Sequence, residues 1–130
     1  MKIGLVIQGP IIGYGQGPNI NINGFNATGN IYENIKSFSN LVECIVISTW
    51  ENSGLNINNK SGKVVLIENK NLIIKEKDSR IRQFITSYEG AKFMKKNFNV
   101  THLLKIRSDQ LINSKLIINW LYKYFENSDR

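Results

Sequence analysis

The residues best suited to chemistry in this 130-residue chain are Arg107-Ser108-Asp109. They follow the apolar stretch Leu103, Leu104 and Ile106, which Val100 and Thr101 open. Aliphatic and β-branched residues in that order predict a short strand that leaves its sheet at Arg107. In an open α/β sheet, ligands bind in the crevice outside the carboxyl ends of the strands. A guanidinium, a hydroxyl and a carboxylate delivered there together suit a phosphate and its metal ion. Asp109 then offers a hard oxygen ligand to Mg²⁺ or Mn²⁺. The competing reading is a solvated turn after a buried strand, in which Arg107 and Asp109 merely pair with each other.

Other segments add polar groups of the same kind. Gln8-Gly9-Pro10 ends the apolar run Ile3–Ile7, and Ser48-Thr49-Trp50-Glu51 ends Cys44–Ile47. Gly9 lets a ligand approach the backbone closely. Trp50 offers a flat face or an indole N–H, or else simply packs. Glu51 is either a ribose-binding acid or an ordinary loop carboxylate. Arg80 and Arg82 fall in the first turn of a helix predicted from Asp78 or Ser79 to about Asn97. The helix dipole disfavours cations at that end, which makes sense if an anion binds there. Arginine contacts phosphate through two parallel hydrogen bonds.

The elements that position these groups are legible as a pattern. Strands are predicted over Ile3–Ile7, Glu43–Ser48, Lys63–Glu68 and the stretch ending at Ile106. A helix capped by Thr28 runs to about Ser39 with Ile31, Ile35 and Phe38 on one face. In the next helix Ile81, Phe84, Ile85 and Tyr88 form a stripe expected to face the core. A last helix, capped by Asn113 or Ser114, runs to about Phe125 with Leu116, Ile117, Trp120, Leu121 and Tyr124; Trp120 is expected in the core. The long Gly- and Asn-rich stretch to about Ala27 and the segment 69–78 are read as loops. Gly13, Gly15 and Gly17 lack the G-x-G-x-x-G spacing of a dinucleotide site. The order β-α-β-β-α-β-α predicts an α/β fold with a mostly parallel, helix-covered sheet. Such a sheet brings the polar ends of its strands and the Arg80/Arg82 helix terminus to one rim.

Composition narrows the ligand without choosing it. Seventeen Lys and Arg against ten Asp and Glu give a net charge of +7, which favours an anionic partner. Lysines 75, 77, 95 and 96 read as solvated surface. The single cysteine, Cys44, lies in an apolar run and reads as a buried hydrophobe. His102, the single histidine, reads as structural, and one His with one Cys gives no zinc site. No stretch approaches the roughly 18 apolar residues of a membrane span. The Met-Lys start followed by a strand is unlike a signal peptide, so a cytoplasmic location is expected.

Taken in order, Gln8-Gly9-Pro10-Ile11, Ser48-Thr49-Trp50-Glu51, Arg82-Gln83 with Ser87 and Gly90, and Lys105-Ile106-Arg107-Ser108-Asp109 resemble the WavE lipopolysaccharide synthesis family. The likeness covers Ile3 to Asp109. The helix from Arg82-Gln83 to Ala91, followed by an apolar strand ending in Asp, is also similar to the family-2 glycosyltransferase pattern. The resemblance implies a GT-A-like, Rossmann-like nucleotide-binding half of a glycosyltransferase that builds bacterial surface polysaccharide. It implies that Gln8, Gly9, Pro10, Thr49, Trp50 and Glu51 line a nucleotide pocket, that Arg82 reaches the pyrophosphate, and that Asp109 binds Mg²⁺ or Mn²⁺. Where the first Asp of an Asp-x-Asp motif would stand, this chain has Arg107. Stabilisation of charge by Arg107 without a metal is therefore the alternative.

The expected partners are a nucleotide-sugar donor and a glycan or lipid-linked glycan acceptor, with no nucleic acid. A peripheral contact with the cytoplasmic face of the inner membrane stays open. Residues 1–130 read as a nucleotide-sugar-binding domain, truncated before an acceptor-binding half, with no identifiable catalytic base. The rivals are a non-catalytic nucleotide-binding fragment and a basic nucleic-acid-binding domain, the latter lacking a recognition-helix or aromatic-basic strand signature.

Overall fold

A computed structural model describes residues 1–13, 25–57, 62–71 and 79–128. Asp78, Gly15, Gly17, Lys75 and Lys77 lie outside the described residues, as does most of the segment 69–78 read as a loop. The elements in chain order are β1 (Ile3–Gln8), β2 (Ile12–Gly13), β3 (Phe25–Asn26), α1 (Thr28–Phe38), β4 (Cys44–Trp50), β5 (Val64–Asn69), α2 (Ser79–Asn97), β6 (His102–Arg107) and α3 (Ser114–Ser128). Four strands form one sheet in the order β5-β4-β1-β6, and every pairing in it is parallel. The expected α/β fold is thus present. The pair β2-β3, a short antiparallel ladder from Ile12–Gly13 to Phe25–Asn26, was not anticipated.

β1 lies in the middle of the sheet and is buried along its whole length. That explains its unbroken apolar run, because both of its faces are covered. Leu5, Ile7, Ile45, Ile47 and Ile106 pack with Ile31 and Phe38 of α1 and Ile118 of α3. Val6, Cys44 and Val46, on the opposite face, pack against Met94 of α2. Helices therefore cover both faces. The chain moves outward from β1 through β4 to β5, then returns over α2 to place β6 on the other side of β1. Strand order reverses between β1 and β6, and a crevice opens at such a switch point.

The structure corrects two expectations about helix faces. Phe84, Tyr88 and Ile81 of α2 are 68%, 52% and 41% exposed, so the aromatic stripe faces outward. The face toward the sheet is instead Thr86, Gly90 and Met94, one turn apart and all buried. Close approach dictates this choice: a Cβ on Gly90 would sit 2.7 Å from Val6 Cγ1, leaving no room there for a ring. A Cβ on Gly4 would meet the Met94 sulfur. Trp120 is the second correction. It is 56% exposed and stacks on Tyr124, 5.3 Å between ring centroids, while Ile118 takes the core position.

One cap shifts by a residue as well, and the other falls where expected. Thr28 is helical, with Ala27 at the N-cap position, and Asn26 Oδ1 accepts from the Thr28 backbone N–H at 3.0 Å. Asn113 caps α3 by accepting from the Leu116 N–H at 3.2 Å, which frees Ser114 to be buried. Cys44 is buried as expected; burial, with Glu43 adding a smaller repulsion, pushes its thiol up to about 11. Among the described residues, no helix is long and apolar enough to cross a membrane.

The reversed face of α2 predicts opposite outcomes for two substitutions on one helix. Met94→Ala, at a fully buried position, should cost about 2–5 kcal/mol of stability by leaving a cavity. Phe84→Ser should stay within about 0.5 kcal/mol of the parent, as exposed substitutions do. Urea unfolding monitored by circular dichroism measures both.

Candidate functional site

The carboxyl ends of β1, β4 and β6 border a cleft of about 640 Å³, within the size range of small-molecule sites. Its walls carry Gln8, Gly9 and Pro10 from β1 and its exit, Thr49, Trp50 and Glu51 from β4, Arg82 from α2, and Arg107 and Asp109 from β6 and its exit. All nine expected site residues therefore meet at one rim. Arg80, the other cation in the first turn of α2, does not line the cleft.

Gly9 is the residue on which this rim turns. Its φ of +128° is strained for any residue with a side chain. Its N–H donates to the Ser48 carbonyl at 3.2 Å, while the Ser108 N–H donates to the Gln8 carbonyl at 2.8 Å. The Ser108 hydroxyl then donates to the Pro10 carbonyl at 2.7 Å. These bonds tie the ends of β4, β1 and β6 side by side. Ser108 approaches so closely that a Cβ on Gly9 would lie 2.6 Å from its Oγ. Ser108 is buried and structural here, rather than a free hydroxyl for a ligand.

Arg107 and Asp109 form the pair that the competing reading of this turn anticipated. Arg107 Nε donates to Asp109 Oδ1 at 3.0 Å and Nη2 donates to Oδ2 at 2.7 Å. The turn is closed by Arg107 N–H donating to Gln110 Oε1 at 3.0 Å, with Gln110 N–H returning to the Arg107 carbonyl at 3.1 Å. Asn34, fully buried on α1, anchors the next stretch. Its Nδ2 donates to the Gln110 carbonyl at 2.7 Å, and its Oδ1 accepts from the Ile112 N–H at 3.3 Å.

Arg82 is held differently. Its guanidinium carbon lies 5.5 Å from the centre of the Trp50 ring, a cation–π distance. Trp50 is only 8% exposed, so it works mainly as a platform for Arg82 and offers little surface of its own. Beneath them Thr86 Oγ1 bonds Gln8 Oε1 at 2.6 Å. Among the described residues, the Gln8 amide nitrogen, buried in the same wall, has no partner, and neither has the Thr49 hydroxyl. An unpaired buried polar group costs about 1–3 kcal/mol. Glu51 is exposed, and its Oε1 accepts from the Asn71 N–H at 3.3 Å.

A divalent ion fits this donor set poorly. Mg²⁺ takes about six oxygens in octahedral array, whereas both Asp109 oxygens are already occupied by a guanidinium. Among the described residues, no three His, Cys, Asp or Glu side chains cluster as metal ligands. His102 is remote from the cleft, at the amino end of β6, where its ring lies 4.3 Å from that of Phe125.

Reading the residues alone missed Thr86 and Asn34. Thr86 belongs to the stripe with Gly90 and Met94, whose four-residue spacing is visible in the sequence but less apolar than the aromatic one. Asn34 interrupts the apolar face of α1 between Ile31 and Phe38, a buried polar position that only its partners in residues 110–112 explain. No family model, curated protein or solved structure matches the chain. Fold and cleft together define an α/β protein with a Rossmann-like parallel sheet and two arginines at its strand-end crevice.

The Gly9–Ser108 contact yields a test by double-mutant cycle. Gly9→Ala should cost at least about 1–3 kcal/mol through strain and the clash with Ser108 Oγ. Ser108→Ala in that background should recover part of the loss, a coupling expected of residues in contact. Strict additivity in thermal unfolding would mean the two residues do not touch.

Proposed function

We propose that this chain binds the nucleoside diphosphate of a sugar donor and belongs to a glycosyltransferase acting in bacterial surface-polysaccharide assembly. The observation that carries the reading is the cleft itself. Two arginines from different elements, Arg82 and Arg107, line one crevice at the strand-order reversal beside Gly9. A nucleoside diphosphate has a planar base, a polar ribose and two adjacent anionic phosphates. The cleft answers these with apolar Ile11 and Phe25, the exposed carboxylate of Glu51, and two guanidinium groups. The four sequence blocks that resemble the WavE family supply most of these groups. Transfer of the sugar to a hydroxyl of a glycan or lipid-linked glycan would leave the diphosphate as departing group, and fixed guanidinium charge eases such a departure. On this reading the protein works in the cytoplasm, on the side of the membrane where its nucleotide-sugar donor is found.

A non-catalytic nucleotide-binding role is the second reading, and the chemistry of the cleft keeps it in view. Its carboxylates are Asp109, engaged by Arg107, and the exposed Glu51. Acceptor-dependent release of nucleoside diphosphate from a nucleotide-sugar distinguishes enzyme from binder.

The donor reading predicts a selective effect of Arg82→Ala. Calorimetry should show diphosphate affinity falling about ten- to a hundredfold, as for loss of a charge-assisted contact, with affinity for the bare nucleoside almost unchanged. An equal loss for both ligands would assign Arg82 to the scaffold, through its place over Trp50.

A further inference from the structure

We infer that Arg107 is the resident cation of this site, occupying through its pair with Asp109 the electrostatic role that a divalent ion would fill, so that the diphosphate binds without metal. The inference rests on the donor reading above and adds to it the identity of the counter-charge. Its basis is the geometry of the pair. A carboxylate at the end of a strand beside a phosphate site is an ordinary place for a hard cation. Here both of its oxygens instead accept from one guanidinium, at 3.0 and 2.7 Å. The residues are two apart in sequence and joined by the closed turn at Gln110, so the cation is tethered to its ligand and cannot diffuse away.

The pair also leaves Arg107 able to act. A guanidinium has five N–H donors, and the Asp109 contacts use two of them. The remaining three belong to a side chain that is 41% exposed and lines the cleft. Asp109 thus serves as a positioning residue: it fixes the plane of the guanidinium and lowers the entropy lost when phosphate oxygens bind. Ser108, between them in sequence, fastens the backbone under the pair through the Pro10 carbonyl. Arg82 approaches from α2 on its Trp50 platform, so the two guanidinium groups come from different elements with independent supports. A ligand carrying two adjacent phosphates matches two separately anchored arginines better than one metal with a single carboxylate.

The test is calorimetry of the whole chain with a panel of uridine, cytidine, guanosine, adenosine and thymidine diphosphates, each in excess chelator and again with millimolar Mg²⁺. At least one should bind in chelator, with affinity changed less than about threefold by Mg²⁺. Arg107→Ala should lose about ten- to a hundredfold in chelator. Because it frees both Asp109 oxygens, that variant should regain part of the loss when Mg²⁺ is added. Asp109→Asn in the Arg107→Ala background should abolish the regain. Binding by the parent chain that falls tenfold or more in chelator would overturn the inference while leaving the donor reading intact, and this arm needs no variant to fold. Unchanged affinity in Arg107→Ala would overturn it too. Failure of the entire panel to bind would overturn the donor reading, and the inference with it.

Discussion

The close approach of Ser108 to Gly9 is the constraint on which the cleft depends. Among the described strands, β1 is the only one with neighbours on both sides that also abuts the reversal of strand order. Its exit must pass between β4 and β6 without closing the crevice that the reversal opens. Gly9 does this with a φ of +128°, bonded back to Ser48 on one side, while Ser108 bonds the carbonyls of Gln8 and Pro10 on the other. A side chain at Gly9 would force Ser108 away, and the guanidinium and carboxylate flanking Ser108 would move with it. The strain at one glycine and the placement of the Arg107–Asp109 pair are thus the same feature, described once in backbone and once in side-chain terms.

The electrostatics of the rim follow from how each charge is supported. Arg107 is held by an ion pair and Arg82 by an aromatic face. A half-exposed ion pair like this one is close to the surface case, which adds roughly 0–1 kcal/mol to folding, so stability alone gives a weak reason for the Arg107–Asp109 geometry. Orientation of the guanidinium gives a better one. Similarly, the buried amide of Gln8 is satisfied on one side by Thr86 and, among the described residues, unpaired on the other. Folding leaves that half-filled hydrogen bond inside the wall of the cleft, behind its surface.

How much of this was legible in the residues varies with the physics behind each part. Strands buried on both faces announce themselves as continuous apolar runs, so β1, β4 and the α/β order were readable, along with the rim to which the strand ends deliver their polar groups. Polar residues in a run of short loops were harder to rank, because pairing and ligand binding use the same side chains; Arg107 and Asp109 fit both uses until their distance is known. The face of α2 was misread for a different reason. Hydrophobicity favoured Ile81, Phe84 and Tyr88, whereas the separation between helix and sheet, set by Gly4 and Gly90, admits only the slimmer stripe of Thr86, Gly90 and Met94. Helix-to-sheet distance is a tertiary property that no periodicity encodes. Trp120 fails by the same logic, since Ile118 already fills the space under α3.

The two tryptophans offer the most direct measurement, because one lies in the cleft and the other on the outer surface of α3. Their indole N–H signals can be followed by ¹⁵N NMR while a nucleoside diphosphate is titrated into the protein. If the strand-end cleft is the binding site, the Trp50 signal shifts and saturates with a single binding isotherm, together with the amides of Gly9 and Ser108, and the Trp120 signal stays in place. Shifts at Trp120 with Trp50 unmoved, or no saturable shift at either, would contradict it.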